Sequence, residues 1–461
     1  MGGMQGFGER SRTAVFATVL ILFALGAGAG KAMAGSPQFL WQAPEDGQRG
    51  SGAGQLASPA GVATLPDGHI LVAEKGNFRI SEFDVWGQFV KSWGWGVADG
   101  SAELQACGPG AVPPTTVCQK GLVGPGAGQI TQPFGLAVDS TGDVYVNELL
   151  PEADVFGEQS FRVQKFDSEG HFLWMAGGEV NKTTAANLCT KEDLVGGDEC
   201  GAGVPGTGDG QFAATFLGGN RIAISPDGSV FVGDVDRIQA FTPAGAFAGT
   251  VAVPGETVSS LAINSKGDFY ATYGLGGIAA AKDDVHKLNS AGAPLSTLKA
   301  EDPRALAVGA DDGIYVVANP QNGPDRILKF DAAGSKVIPT KAEEDNAELF
   351  NPASIVPGLA TATGTPCGIP GEDVYASSIG DSETLRAHGP APNPALCPPP
   401  QAPPSITDQY AVSADSDGAV VRARINPHFW PDTNYYVQYG TGECSDGGCT
   451  QQQPTGPGSK L

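Results

Sequence analysis

Residues 59–90, PAGVATLPDGHILVAEKGNFRISEFDVWGQFV, hold the pattern that decides the fold. Short apolar runs alternate there with turn signals such as Pro66-Asp67-Gly68, and each run is only long enough for a β-strand. The composition agrees, because 67 glycines and 35 prolines in 461 residues disfavour long helices. We therefore predict four short antiparallel strands in this segment.

The same order of runs and turns recurs along the chain. Further copies begin at Pro133, Arg221, Leu261 and Pro303, and a degenerate copy begins at Pro352. A sheet of about 40 residues cannot bury both of its faces, so consecutive units must pack together around a closed ring. Residues 38–41 and 52–56 resemble the end of a unit that lacks its start, which predicts that this segment supplies the outer strand of the last unit.

These motifs resemble the NHL repeat family, and the resemblance covers roughly residues 39–388. It rests on a Pro-x-Gly opening, an apolar strand that ends in a carboxylate, an Arg-Ile pair and a Phe-Asp-x-x-Gly turn. It implies an all-β fold, a β-propeller of about six four-stranded blades. The units from Leu261 and Pro352 lack the carboxylate and the Pro-x-Gly opening, so a count of five or seven stays open.

The first 34 residues have the features of an export signal. Arg10 and Arg12 precede an apolar run over residues 14–29, and Ala32 and Ala34 give the small-residue pattern of a cleavage site. We predict cleavage after Ala34 and a secreted, extracellular protein, with the cell envelope as a further location. An uncleaved membrane anchor is the alternative. Membrane contact is expected only through this segment or through sequence beyond residue 461.

The charge balance argues against polyanionic partners. The formal net charge of −23 repels phosphate backbones and anionic lipid head groups. We therefore expect no nucleic-acid partner, although some intracellular NHL propellers bind RNA. The sequence also has no RING or B-box region, so the ubiquitin-ligase role of some NHL proteins does not transfer.

Eight cysteines predict disulfides in an exported chain, because they fall into four local pairs. The pairs are Cys107 with Cys118, Cys189 with Cys200, Cys367 with Cys397, and Cys444 with Cys449. Zinc binding is the alternative, but no CxxC motif or nearby histidine pair accompanies these cysteines.

The first two cysteine pairs lie in long insertions that interrupt the repeat, insert 1 (residues 98–123) and insert 2 (residues 181–207). We expect both inserts to project from one face of the propeller. There they either bind a partner or are stapled decoration.

The composition changes after the repeats. Residues 390–404 are Pro-rich, which predicts a semi-rigid linker. Residues 405–413, 419–425 and 435–440 predict strands similar to part of a fibronectin type III-like β-sandwich, which needs about 100 residues. The predicted domains are a signal peptide (1–34), the propeller (38–389), the linker (390–404) and an incomplete fibronectin-like domain (405–461), so we expect a fragment of a longer protein.

Catalytic chemistry is not expected in the central channel. The residues predicted at its mouth share no ligand chemistry, while calcium needs six or more oxygens and catalytic zinc about three histidine or carboxylate ligands. These residues are Ala60, Phe134, Asn220, Ser259, Arg304 and Ala353. We therefore predict no catalytic, cofactor-binding or metal-binding residue and no cofactor.

Charged residues recur at two positions of the repeat, and recurrence favours a structural role because a catalytic residue normally occurs once. We expect charge-assisted hydrogen bonds that hold the strand turns of each unit. The residues are Glu74, Glu148 and Asp234 at one position, and Arg79, Arg162, Arg237 and Arg326 at the other.

Three tryptophans near the ends of the first two units are candidates for a binding rim. Trp93, Trp95 and Trp174 could stack sugars or peptide on an exposed surface. The alternative is that they fill the space between adjacent blades.

Taken as a whole, the sequence favours a secreted, non-enzymatic binding or scaffold protein that uses an NHL propeller to bind an unknown protein or glycan. The alternative is an extracellular propeller hydrolase or lyase with a metal in the central channel. The metal content of the purified protein distinguishes the two.

Overall fold

The structure is a computed structural model, and it describes residues 39–45, 47–115, 117–150, 160–213, 219–274, 284–319, 325–338, 355–363, 372–379, 383–389, 405–414, 419–426, 437–439 and 450–452. The predicted signal peptide and the Pro-rich linker lie outside these residues and stay predictions. Within the described ranges, no helix is long and apolar enough to cross a membrane.

Nearly all regular structure of the described residues is β-strand, and the one helix among them is α1 (Lys191–Gly196), a short helix inside insert 2. The strands of the repeat region are, in chain order, β1 (Phe39–Ala43), β2 (Pro59–Thr64), β3 (Ile70–Glu74), β4 (Arg79–Phe83), β5 (Phe89–Trp95), β6 (Leu104–Cys107), β7 (Gln132–Val138), β8 (Val144–Leu150), β9 (Ser160–Phe166), β10 (Phe172–Ala176), β11 (Leu188–Thr190), β12 (Ile222–Ile224), β13 (Val230–Gly233), β14 (Val235–Phe241), β15 (Phe247–Ile263), β16 (Phe269–Tyr273), β17 (Asp284–Leu288), β18 (Pro294–Lys299), β19 (Pro303–Val308), β20 (Ile314–Ala318), β21 (Arg326–Phe330), β22 (Lys336–Ile338), β23 (Ile355–Thr363), β24 (Glu372–Ile379) and β25 (Thr384–His388).

These strands form antiparallel sheets in which consecutive strands pair. The first sheet is β2-β3-β4-β5-β6, and the second sheet is β7-β8-β9-β10-β11. The long sheet runs from β12 to β18 and holds two four-stranded sets that share β15, because β14 pairs with the first part of β15 and β16 with the second. Strands β19 to β22 form the next sheet, and the closing sheet has the order β1-β25-β24-β23.

The Phe-Asp-x-x-Gly motif makes the tight turn between the third and fourth strands of a unit. In the first sheet, the carboxylate of Asp84 accepts hydrogen bonds from the backbone N–H groups of Trp86 and Gln88. Gly87 has a φ of 78°, which a glycine adopts without strain. The motif therefore sets where each outer strand begins.

The innermost strands contact one another in a closed cycle, in the order β2, β7, β12, β15, β19, β23 and again β2. The glycine of the Pro-x-Gly opening permits this approach, because a Cβ atom at Gly61 would lie 2.6 Å from the backbone nitrogen of Leu136. The β-propeller fold expected from the sequence is therefore confirmed.

The first strand of the propeller completes its last sheet, as predicted. β1 pairs antiparallel with β25, so Trp41 lies opposite Ala387. Trp41 is 3% exposed, its indole N–H donates to the carbonyl oxygen of Val85 at 3.0 Å, and its ring lies against Gly87 of the first sheet. The closing sheet is thus fixed to the first sheet by a buried aromatic contact and a hydrogen bond.

The same contact recurs at the next two junctions. Trp93 of the first sheet lies against Gly170 of the second, and Trp174 of the second lies against Gly245 of the long sheet. Trp174 also donates to the carbonyl oxygen of Pro243 at 3.0 Å. A tryptophan over a turn glycine is therefore the repeated joint between sheets.

Strands also follow the repeats, as β26 (Ser405–Ala414), β27 (Ala419–Asn426), β28 (Val437–Tyr439) and β29 (Thr450–Gln452). β26 pairs with β27 and β28 pairs with β29. The presence of these strands agrees with the expected β-structure, and the fibronectin type III-like assignment stays a prediction.

Replacing Trp41 should open the joint between the first and last sheets. We expect Trp41→Ala to lower the free energy of unfolding by about 3–5 kcal/mol, because a large buried ring and its hydrogen bond are lost. Urea unfolding followed by circular dichroism measures this loss. Leu40→Ala, a half-buried position on the same strand, is the control, and equal losses in the two variants would contradict the role of Trp41.

Candidate functional site

The residues predicted at the channel mouth are mostly buried in the inner wall. Ala60, Asn220 and Ser259 are buried, and the carbonyl oxygen of Ala60 accepts a hydrogen bond from the hydroxyl of Ser377 at 2.6 Å. Phe134 and Arg304 are half-buried, and Ala353 lies outside the described residues. The wall is therefore used mainly for packing between sheets.

Two asparagines form the polar part of this wall. The amide nitrogen of Asn147 donates to the carbonyl oxygen of Gly219 at 3.3 Å, and that of Asn220 donates to the carbonyl oxygen of Leu136 at 3.2 Å. Each hydrogen bond joins the second sheet to the start of the long sheet. These two hydrogen bonds therefore hold the second sheet against the long sheet.

One amine lies at the mouth itself. The Nζ atom of Lys75 is 4.4 Å from the centre of the Phe134 ring, and burial lowers the pKa of Lys75. Arg304 is ion-paired with Asp302 at 3.0 Å. Among the described residues, the cationic groups of Lys75 and Arg304 lie at this end of the channel, and the carboxylate of Asp302 lies beside Arg304.

In the described part of the chain, one group of side chains could hold a metal ion, and it lies away from the channel. Asp167, Glu169 and His171 share the turn between β9 and β10, and the Nδ1 atom of His171 is 2.9 Å from a carboxylate oxygen of Asp167. Glu169 and His171 are exposed. Such a turn cluster is a common surface feature and does not form a channel site.

Three of the recurring arginines form ion pairs with the recurring carboxylates, which supports a structural role for these residues. The Nε atom of Arg79 donates to Glu74 at 2.7 Å, and both side chains are fully buried. Arg162 with Glu148 and Arg237 with Asp234 make the same contact at 2.7 and 3.0 Å. Arg326 differs, because its partner across the strands is Ala318.

Arg79, Arg162 and Arg237 each hold the loop that leads into their own sheet. Besides Glu74, Arg79 donates to four carbonyl oxygens, and three of them belong to residues 51–55. Arg237 donates in the same way to the carbonyl oxygens of Thr207, Gly208 and Gln211. All five N–H groups of the Arg79 guanidinium are thereby used, which is the condition for burying such a charge.

The held loops share a Gly-x-Gly-x-Gly-Gln motif, at residues 50–55, 124–129 and 206–211, whose recurrence was not predicted. The backbone N–H of the middle glycine donates to the side-chain oxygen of the glutamine in every copy. The pairs are Gly52 with Gln55 at 3.0 Å, Gly126 with Gln129 at 2.9 Å, and Gly208 with Gln211 at 3.1 Å. The signal was the repeated glutamine before an apolar residue.

Two of the predicted disulfides are confirmed, Cys107–Cys118 and Cys189–Cys200. Cys367, Cys397, Cys444 and Cys449 lie outside the described residues. The structure adds one feature, since Cys107 ends β6 and Cys189 lies in β11. Each insert therefore contributes a fifth strand to the outer edge of its sheet, and does not only project from a face.

The rim role proposed for the tryptophans is corrected for two of the three. Trp93 and Trp174 are buried, at 1% and 4% exposure, in cores shared with the next sheet. They therefore fill the space between blades and offer no rim surface. Trp95 is half-buried at the end of β5, and its indole nitrogen lies next to Gly128.

The exposed apolar surface is concentrated on the two inserts. Of the large apolar side chains exposed in the described ranges, all but Leu295 belong to insert 1 or insert 2. They are Val112, Val117, Leu122, Val123, Leu194, Val195 and Val204. Val112 and Val195 are 95% and 91% exposed. Apolar side chains held in water on disulfide-stapled loops mark a candidate contact surface.

Known proteins agree with the propeller architecture. The NHL repeat family matches residues 56–83, which run from just before β2 to the end of β4. This match supports an NHL-type β-propeller. Comparison with curated protein sequences finds no match.

Solved structures of several propellers are remotely similar. A PQQ-bound aldose sugar dehydrogenase from Streptomyces coelicolor has 15% identity and a TM-score of 0.40, covering 78% of this chain and 99% of that chain. Virginiamycin B lyase from Staphylococcus aureus has 12% identity and a TM-score of 0.38, covering 75% and 99%. A streptogramin B lyase has 13% identity and a TM-score of 0.37, covering 80% and 94%. These similarities carry no conclusion about activity or ligand.

Removing one member of the buried ion pair should be costly. We expect Arg79→Met to lower the free energy of unfolding by about 3–5 kcal/mol, because Glu74 is left buried without its partner. Adding Glu74→Gln should recover part of this loss, since the uncompensated charge is gone. Chemical denaturation of the single and double variants measures both effects.

Lys91→Met is the matched control. The Nζ atom of Lys91 lies 3.6 Å from a carboxylate oxygen of Glu82, and the Lys91 side chain is only partly buried. It should cost about 1 kcal/mol or less. If Arg79→Met lowered the free energy of unfolding as little as Lys91→Met does, the stabilising role of the Arg79–Glu74 ion pair would be contradicted.

Proposed function

We propose that this protein is a secreted, non-enzymatic binding or scaffold protein whose NHL-type propeller binds a protein or glycan. The two stapled inserts form the contact surface, and their apolar character favours a protein. Export through the N-terminal signal and a fibronectin-like spacer after the linker belong to the same proposal.

The concentration of exposed apolar side chains on the inserts carries the proposal. A soluble protein gains nothing for its own stability from valines at more than nine-tenths exposure. Both inserts are nevertheless ordered by a disulfide and a fifth strand, and insert 2 also by α1, whose N-cap Thr190 and Asp193 form a capping box. An apolar surface on a preorganised loop loses little entropy on binding.

An oxidising compartment is consistent with the disulfides. Cys107 and Cys189 are fully buried, and each lies in the core of its insert. Secretion fits this chemistry and the negative charge, which favours solubility.

We further propose a ring of six blades. The long sheet counts as two blades, because β15 serves as the outer strand of one four-stranded set and the innermost strand of the next. The cycle of innermost strands supports this count, since β15 contacts both β12 and β19.

Substitutions on the inserts test the contact surface. We expect Val112→Asp, Val117→Asp and Val195→Asp each to weaken binding about tenfold or more, because a charge would enter an apolar contact. A partner is first captured from a cell-envelope extract by cross-linking to the full chain and, in parallel, from a glycan array. Its affinity for each variant is then measured by calorimetry.

Leu295→Asp is the matched control, because Leu295 is 52% exposed on β18, outside both inserts. Equal binding by all variants, or equal loss in the control, would contradict the insert surface. Stoichiometric calcium or zinc in the purified protein would favour the enzyme alternative instead.

A further inference from the structure

A cleft lies at the seam where β1 meets the first sheet. This seam cleft has a volume of about 420 Å³, within the range of small-ligand pockets. Trp41, Phe83 and Phe89 give its aromatic lining, and the loop of Gly54 and Gln55 forms one side. It lies on the outer part of the ring, away from the central channel.

The equivalent places at the next two junctions are filled by the chain itself. The loop glycine Gly128 has the indole of Trp95 against it, and Gly210 has Asn187 against it. At the seam, a Cβ atom added to Gly54 would have only Phe89, of the same sheet, within 4 Å among the described residues. The seam cleft is thus the open copy of a groove that elsewhere receives a side chain.

Strand length distinguishes the seam from the junction between the first and second sheets. β1 and β5 both begin at a phenylalanine, Phe39 and Phe89, but β5 is two residues longer and ends in Trp95. Counting from that phenylalanine, Glu45 occupies the place of Trp95. The indole of Trp95, which fills the groove at the next junction, therefore has no counterpart at the end of β1.

Polar groups in the cleft could serve the N–H or O–H group of an aromatic side chain. The side-chain oxygen of Gln55 accepts from Gly52, while its amide nitrogen has no partner in the described ranges. The carboxamide of Gln88, which also lines the cleft, makes no hydrogen bond there. Tryptophan and tyrosine need such a partner when they are buried.

We propose that the seam cleft is a socket for a tryptophan or tyrosine side chain of the bound protein. This inference rests on the proposed function, because the aromatic group belongs to a protein partner. The socket adjoins insert 1, since Phe89 packs both against the core of the closing and first sheets and against the Cys107–Cys118 core. A buried aromatic anchor beside an apolar surface is the usual centre of a protein interface.

The test uses small probes and the full chain, so it needs no identified partner. N-acetyl-tryptophanamide is titrated by saturation-transfer NMR, with N-acetyl-leucinamide and methyl glucoside as comparisons. We expect the tryptophan probe to bind at least fivefold more tightly than either comparison. Two variants fill the cleft from within, Glu45→Trp, which copies Trp95, and Ala53→Trp on the loop.

At least one filling variant should lose tenfold or more of the probe affinity. Glu45→Ala and Ala53→Ser, which change the same positions and leave the cleft open, should stay within twofold of the natural chain. Binding that persists in both filling variants, or no binding of the tryptophan probe, would overturn the socket. Tighter binding of methyl glucoside would overturn it in favour of a saccharide site.

The two proposals fail separately. If Glu45→Trp no longer binds the tryptophan probe but binds the partner normally, the seam cleft is not part of the interface. The proposed contact surface on the inserts is not affected by that result. Normal probe binding with no effect of the insert substitutions supports the socket and contradicts the insert surface.

Discussion

The pairing of β1 with β25 is the constraint on which the rest of the structure depends. Each sheet buries its apolar side chains against its neighbours, so the first and last sheets would leave whole faces in water if they did not meet. Residues from β1, β2–β4 and β24–β25 form one continuous core at this junction. Hydrogen bonds from Trp41 to Val85 and from Ser377 to Ala60 cross the same junction.

Within the ring, a second device orders each of the first three units from inside. An arginine, fully buried in the first two units and half-buried in the third, binds a carboxylate and the carbonyl oxygens of the incoming loop, while a glutamine closes that loop on itself. Polar groups therefore fix the entry to a unit, and apolar packing fixes its contact with the neighbour. Such division explains why the arginine, the carboxylate and the glutamine recur together.

The sequence was sufficient to predict the parts of the fold that local patterns specify. Apolar periodicity and turn residues predicted the strands, the incomplete first unit predicted the closing strand, and spacing predicted Cys107–Cys118 and Cys189–Cys200. The fifth strands β6 and β11 were missed, because such short segments form strands only through the edge that they pair with and the disulfide that holds them.

The candidate site was less predictable for a related reason. Whether Trp93 and Trp174 face solvent or the next sheet depends on how far apart two sheets pack, which no single unit specifies. Trp93 contacts Gly170, but its indole N–H donates no hydrogen bond in the described part of the chain, unlike those of Trp41 and Trp174. The seam cleft could not be predicted from the sequence either. It exists because no aromatic side chain stands two residues after β1, where Glu45 takes the place that Trp95 has in β5.

The position of β1 has a consequence for how the chain reaches its native state. It is synthesised before every other strand of the propeller, yet its partner β25 is the last, so the earliest segment must wait longest for its contacts. Joining two segments so far apart carries a loop-closure entropy that nearby strands never face. The intermediate sheets can form as they emerge, whereas the ring becomes a single cooperative body only after β25 has been synthesised.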